Sequence, residues 1–99
     1  MEIIMFSIYV AFKCFPGKRE AFVKKVKEEG ILDAIRAEEG CLIYDYYYSE
    51  KDENELLLIE KWETKHHQEI HMTQPHMAKH SALKGDYIES AKLGEFEIK

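Results

Sequence analysis

From Ile3 to Lys13 the chain is rich in β-branched and aromatic residues, and apolar side chains occupy both parities, a pattern that predicts a strand covered on both faces. Phe15-Pro16-Gly17 punctuates it, and Pro16 suits the first turn of a helix. Ala21, Phe22, Val26, Ile31, Leu32 and Ile35 then recur at helical spacing among lysines and glutamates. Gly30 is expected to kink or break this helix and Gly40 to end it. Between Cys41 and Ser49 the pattern turns to period two, with Leu42, Tyr44, Tyr46 and Tyr48 on one face and Ile43, Asp45 and Tyr47 on the other. Glu50 to Asn54 is a polar hairpin loop, and Leu56 to Trp62 returns as a strand with Leu56, Leu58, Glu60 and Trp62 sharing a face. Thr64 reads as a helix cap, Pro75 interrupts the helix that follows, and a second short helix from His76 to about Leu83 stops near Gly85. Tyr87 to Ile98 supplies the last strand.

The order β-α-β-β-α-β is that of the ferredoxin-like, split-βαβ fold: an α+β arrangement with a four-stranded antiparallel sheet and helices on one face. Helices cover only one side of such a sheet. Yet Ile3, Met5, Tyr9, Ala11, Ile43, Tyr47, Leu57 and Ile59 place apolar residues at the opposite parity. An exposed apolar sheet face marks an interaction surface, so a homodimer packed sheet on sheet is expected.

Composition narrows the function. At 99 residues the chain is expected to be one domain over its whole length, 1–99. Acidic residues outnumber basic ones 19 to 14, a net charge of −5, which argues against nucleic acid and against an anionic membrane surface as partners. No apolar run is long enough to span a bilayer, and the apolar opening carries Glu2 rather than a leading positive charge, unlike a signal peptide. Cys14 and Cys41 form no Cys-x-x-Cys pair or disulfide framework, so a reducing cytoplasm is the expected compartment. All 5 histidines fall between His66 and His80, directly behind the single tryptophan, Trp62. Groups that titrate near neutrality beside a large aromatic offer a proton acceptor and a flat ligand surface.

The segments Glu38-Glu-Gly-Cys-Leu-Ile-Tyr44, Ile59-Glu-Lys-Trp-Glu63 and His71-Met-Thr-Gln-Pro-His-Met77 carry a resemblance. From about Ile3 to Ile98 the chain resembles the antibiotic biosynthesis monooxygenase family, and most of all its small bacterial quinol monooxygenases. The resemblance implies a dimeric α/β barrel of two ferredoxin-like halves, with a pocket in each subunit between sheet and helices. It also implies a monooxygenase-type oxidoreductase that oxygenates or oxidises electron-rich polycyclic phenols and hydroquinones with molecular oxygen as co-substrate, without metal, flavin or haem. Haem-degrading members carry an asparagine on the first strand, and here that strand has none, which disfavours haem as substrate. The polyketide oxygenases place an asparagine four residues before the tryptophan, where this chain has Leu58.

Within that frame His71 is the first candidate for the base that deprotonates a quinol and His76 the second. Glu60 either orients a histidine or is itself a base with a pKa raised by burial. Trp62, Tyr44 and Tyr46 are the expected substrate-binding surface, and His66, His67 and His80 read as solvated helix residues. His67 with His71, and His76 with His80, have the i,i+4 spacing of paired metal ligands, but Pro75 separates the pairs, so no metal site and no cofactor are expected. Two rival functions remain: an isomerase or degradation enzyme for a small carbonyl signalling compound, and a non-catalytic stress protein that binds an aromatic ligand. The arginines, Arg19 and Arg36, are few for a phosphate-binding isomerase.

Overall fold

Period-two alternation decides which side of the sheet is core, and the computed structural model, which describes residues 5–96, follows it. The elements are β1 (Phe6–Cys14), α1 (Arg19–Glu28), α2 (Ile31–Arg36), β2 (Cys41–Tyr48), β3 (Glu55–Trp62), α3 (Lys65–His71), α4 (Pro75–Tyr87) and β4 (Ile88–Phe96). The sheet order is β2-β3-β1-β4 with every pairing antiparallel, the predicted ferredoxin-like topology. The expected strand ends at Ile3 and Ile98 lie outside the described residues.

On β3, Leu56, Leu58, Glu60 and Trp62 all point into the core, none more than 4% exposed. They pair across β1 with Phe12, Val10, Ile8 and Phe6, so one inner face runs across the two central strands. Phe22 and Val26 of α1 and Ile31 and Ile35 of α2 close over this face, all but fully buried. Each such side chain contributes about 1.5–3 kcal/mol of transfer free energy. The outer face carries Tyr9, Ala11, Ile43, Tyr47, Leu57 and Ile59, with Tyr47 51% exposed.

Four local expectations change. Pro16 sits in the turn before α1, which begins at Arg19, and not in the helix's first turn. The register of β2 against β3 shifts between Cys41 and Ile43, so Cys41 and Tyr44 share the inner face while Leu42 is 45% exposed and leaves the tyrosine row. A bulge absorbs the extra residue, which strict alternation does not anticipate. The helix after Gly30 stops at Arg36, four residues before Gly40, and Gly40, at φ 82°, instead turns the chain into β2. Gly85 does not stop α4, which continues to Tyr87. Met77, His80, Leu83 and Tyr87 form one inward stripe along it, and their packing outweighs the roughly 1 kcal/mol that glycine costs in a helix. Gly30 does break the first helix, with φ 73°, and α3 ends before Pro75 as expected.

Gly40 matters beyond its turn. A Cβ there would lie 2.4 Å from Cγ and 2.9 Å from Cβ of His67, against the root of a side chain in α3 that cannot swing away. Gly40→Ala combines that overlap with a left-handed backbone, so it should lower stability by about 1–3 kcal/mol. Thermal or urea unfolding checks this; an unchanged midpoint would show that α3 yields freely.

Candidate active site

The chemistry collects where α3 and the start of α4 cross the inner face of the sheet. Thr64 caps α3 by accepting a hydrogen bond from the His67 amide at 3.2 Å, and the helix is short enough that His71, its last residue, points down into the core. His71 is 1% exposed. Its ring lies 4.7 Å from the Trp62 ring, tilted by 36°, and meets Tyr44 edge-on at 5.7 Å. Nδ1 hydrogen-bonds to Glu38 Oε2 at 2.7 Å. An ionised carboxylate only accepts, so Nδ1 carries the ring proton and Nε2 keeps its lone pair. Glu38 Oε2 also accepts from His76 Nε2, at 2.8 Å.

A cavity of about 270 Å³ opens between sheet and helices, bounded by Val10, Leu58, Met77 and Leu93 among its apolar residues and by Tyr44, Glu60, His71 and His80 among its polar ones. Leu93, on the inner face of β4 and 68% exposed, stands at its open side. Burial acts oppositely on the acid and the bases. It pushes the Glu60 carboxyl up to about 7, against the lowering effect of the 3.0 Å hydrogen bond from Trp62 Nε1. It lowers the pKa of His71, although Glu38 pulls it back up, and lowers that of His80 to about 4. Both rings are therefore neutral at pH 7 and able to accept a proton.

The structure brings together some of the expected site residues and separates others. His71, Glu60 and Tyr44 border the cavity. Trp62 is fully buried beneath His71 and supports that ring, so it is not the cavity wall expected of it. Tyr46 packs on Phe22 and Tyr44 away from the cavity, and its hydroxyl is 3.5 Å from His80 Nε2. His76 does not border the cavity and serves Glu38. Glu60 binds Trp62, while the carboxylate that orients the histidine is Glu38. His66 is exposed as expected, but His80 is 2% exposed, with Nδ1 buried and without a hydrogen-bond partner among the described residues. The i,i+4 histidine pairs do not act as pairs; Glu38 joins His71 to His76 across the Pro75 break.

The sequence reading missed Glu38. One signal pointed to it: Glu38 and Glu39 directly follow α2, where the helix dipole disfavours negative charge, so an acid there needs a partner from elsewhere.

The family model described as antibiotic biosynthesis monooxygenase matches residues 5–83. The chain belongs to that family. Among curated relatives of this antibiotic biosynthesis monooxygenase domain, "Putative monooxygenase YcnE" of Bacillus subtilis is 31% identical over 91 residues, covering 92% of this chain and 90% of that protein. An uncharacterised protein of Synechocystis, sll1783, is 27% identical over 86 residues, which cover 87% of this chain; the chain spans about half of that relative's length, 56%. Among solved structures, PA3566 from Pseudomonas aeruginosa superposes with a TM-score of 0.84 over 100% of this chain and 99% of that one. At 21% identity this likeness speaks for the fold.

The buried bases make stability depend on pH. His80 holds a proton only below about 4 in the folded chain but below 6.5 when unfolded, so stability falls as pH drops from 6.5 to 4. His71 contributes in the same direction. Glu60 works in reverse: its folded pKa of about 7 exceeds the ordinary 4.5, so its contribution is lost as pH rises between those values. His80→Phe should remove the unpartnered nitrogen, raise stability by about 1 kcal/mol and flatten the loss between pH 6.5 and 4. Melting curves across that range read both effects.

Proposed function

We propose that this chain oxidises an electron-rich aromatic substrate of the quinol type with molecular oxygen, without metal, flavin or haem, and that His71 is its base. The observation that carries this reading is the His71 ring itself, buried at the cavity edge, neutral, and held by Glu38 through Nδ1 so that Nε2 is left to accept a proton. Family membership supports an oxygenase. The cavity, at about 270 Å³, lies just below the usual ~300–1,000 Å³ of ligand pockets, which favours one or two fused rings over a larger polycycle.

Triplet oxygen reacts slowly with a neutral quinol because spin conservation forbids a direct two-electron step. Removing the phenolic proton creates an anion that gives up one electron far more easily. His71 Nε2 takes that proton and Glu38 stabilises the imidazolium through the hydrogen bond at Nδ1; the quinol's two electrons, with this proton and the second phenolic proton, then pass to oxygen to give quinone and hydrogen peroxide. Glu60, protonated below about pH 7, can donate a hydrogen bond to a substrate oxygen; ionised, it would repel the quinol anion. The apolar part of the lining favours dissolved oxygen.

The reading extends to assembly and compartment. The outer sheet face, with Leu57 and Ile59 on a central strand, is apolar enough to pair with a second copy, and the free cysteines Cys14 and Cys41 suit a reducing cytoplasm.

Oxygen uptake with reduced naphthoquinols and metal-stripped protein should exceed the uncatalysed rate, and His71→Ala should reduce it by ~10²–10⁴-fold. No uptake above background would sink the oxidase reading, and turnover without oxygen would point to an isomerase. The alkaline side of the pH–rate profile should fall near pH 7 as Glu60 ionises, and Glu60→Gln should remove that limb. Sedimentation should give a dimer for the native chain and a monomer for Ile59→Glu; a native monomer would refute sheet-on-sheet pairing.

A further inference from the structure

Glu38, His71 and His76 come from three separate segments: the turn after α2, the end of α3 and the first turn of α4. One donor atom of each lies within 4.8 Å of the other two. Both imidazole nitrogens approach the same carboxylate oxygen, at 2.7 and 2.8 Å. Two imidazoles and a carboxylate are a donor set for a borderline divalent ion such as Zn²⁺ or Ni²⁺. Donors bound about 2.1 Å from a tetrahedral ion stand ~3.4 Å apart, so these contacts, at 2.7 and 2.8 Å, need to open by about 0.6–0.7 Å. An ion can reach them from solvent. The Glu38 and His76 side chains are 10% and 19% exposed, and a shallow cleft lined by Glu38, Glu39, His67, Ile70 and Gln74 opens beside them.

We propose that Glu38, His71 and His76 bind one divalent ion of the Zn²⁺ or Ni²⁺ class, and that its binding switches off the base. The second half rests on the reading of His71 Nε2 as the proton acceptor. A neutral imidazole holds one N–H. In the metal-free chain that proton is on His71 Nδ1, donated to Glu38, and the lone pair is on Nε2. An ion at Nδ1 takes the lone pair there, and the ring proton moves through solvent to Nε2 with no net change in ring protonation. Nε2 then donates and cannot accept. His76 undergoes the mirror change, its proton moving from Nε2 to Nδ1, and Glu38 exchanges two hydrogen bonds for one metal bond.

The chain's single tryptophan lies 4.7 Å from the His71 ring, so an open-shell ion at the site should quench its fluorescence. Titrating Ni²⁺ into metal-stripped protein should give quenching that saturates at one ion per chain, at least tenfold weaker in Glu38→Gln and in His76→Gln and unchanged in His66→Gln. Quenching that survives the first two variants and disappears in the third would overturn the site as an adventitious surface chelate. On native protein, which avoids any folding defect of the variants, ¹⁵N imidazole spectra with Zn²⁺ should show the His71 proton move from Nδ1 to Nε2; an unmoved proton overturns the switch. Stoichiometric Zn²⁺ should abolish quinol oxidation. Metal binding with the tautomer change, in a protein that oxidises no quinol when metal-free, would uphold the site and overturn the catalytic reading; oxidation without metal binding would do the reverse.

Discussion

Glu38 Oε2 accepts hydrogen bonds from His71 Nδ1 and His76 Nε2, and the site depends on that shared oxygen. Its side chain is only 10% exposed, where a carboxylate without partners would carry a large desolvation penalty. Two ring N–H groups relieve the penalty and in exchange are held at fixed angles. The constraint spreads from there. His71 lies on Trp62, Trp62 donates to Glu60, and Glu60 borders the cavity, so a residue in the turn after α2 is linked to the groups on β3.

The same apolar environment tunes both kinds of titratable group. Burial raises the Glu60 pKa to about 7 and lowers those of His71 and His80, so each group is driven toward its neutral form. In the proposed oxidation such a cavity receives an uncharged phenol without displacing a firmly hydrated ion, and charge arises only when the proton moves. Glu38 acts against burial at His71 alone, which makes that imidazolium the one the site is built to tolerate.

Legibility in the sequence followed locality. The inward parity of Leu56, Leu58, Glu60 and Trp62 was readable because side-chain direction in a strand alternates strictly. The breaks at Gly30 and before Pro75 were readable because they follow from backbone chemistry at single residues. Leu42 escapes the alternation because a bulge is a property of the pair of strands, not of one. His80 is buried and not solvated because it shares the inward stripe of α4 with Met77, and residue type alone does not say which face of a helix meets the core. Trp62 takes the inward face that alternation predicts but meets His71 there, since alternation says that a residue points inward but not what lies above it.

The sequence by itself determined the order of the elements, the ferredoxin-like topology and the concentration of chemistry between Trp62 and His80, all of which rest on periodicity and residue type within short windows. Only the tertiary structure decided what each histidine does. Glu38 meets His71 across 33 residues and His76 across 38, and no local pattern encodes such an encounter. The role of an imidazole depends on which nitrogen is occupied and which faces open space, and both are set by groups that the fold brings from distant parts of the chain.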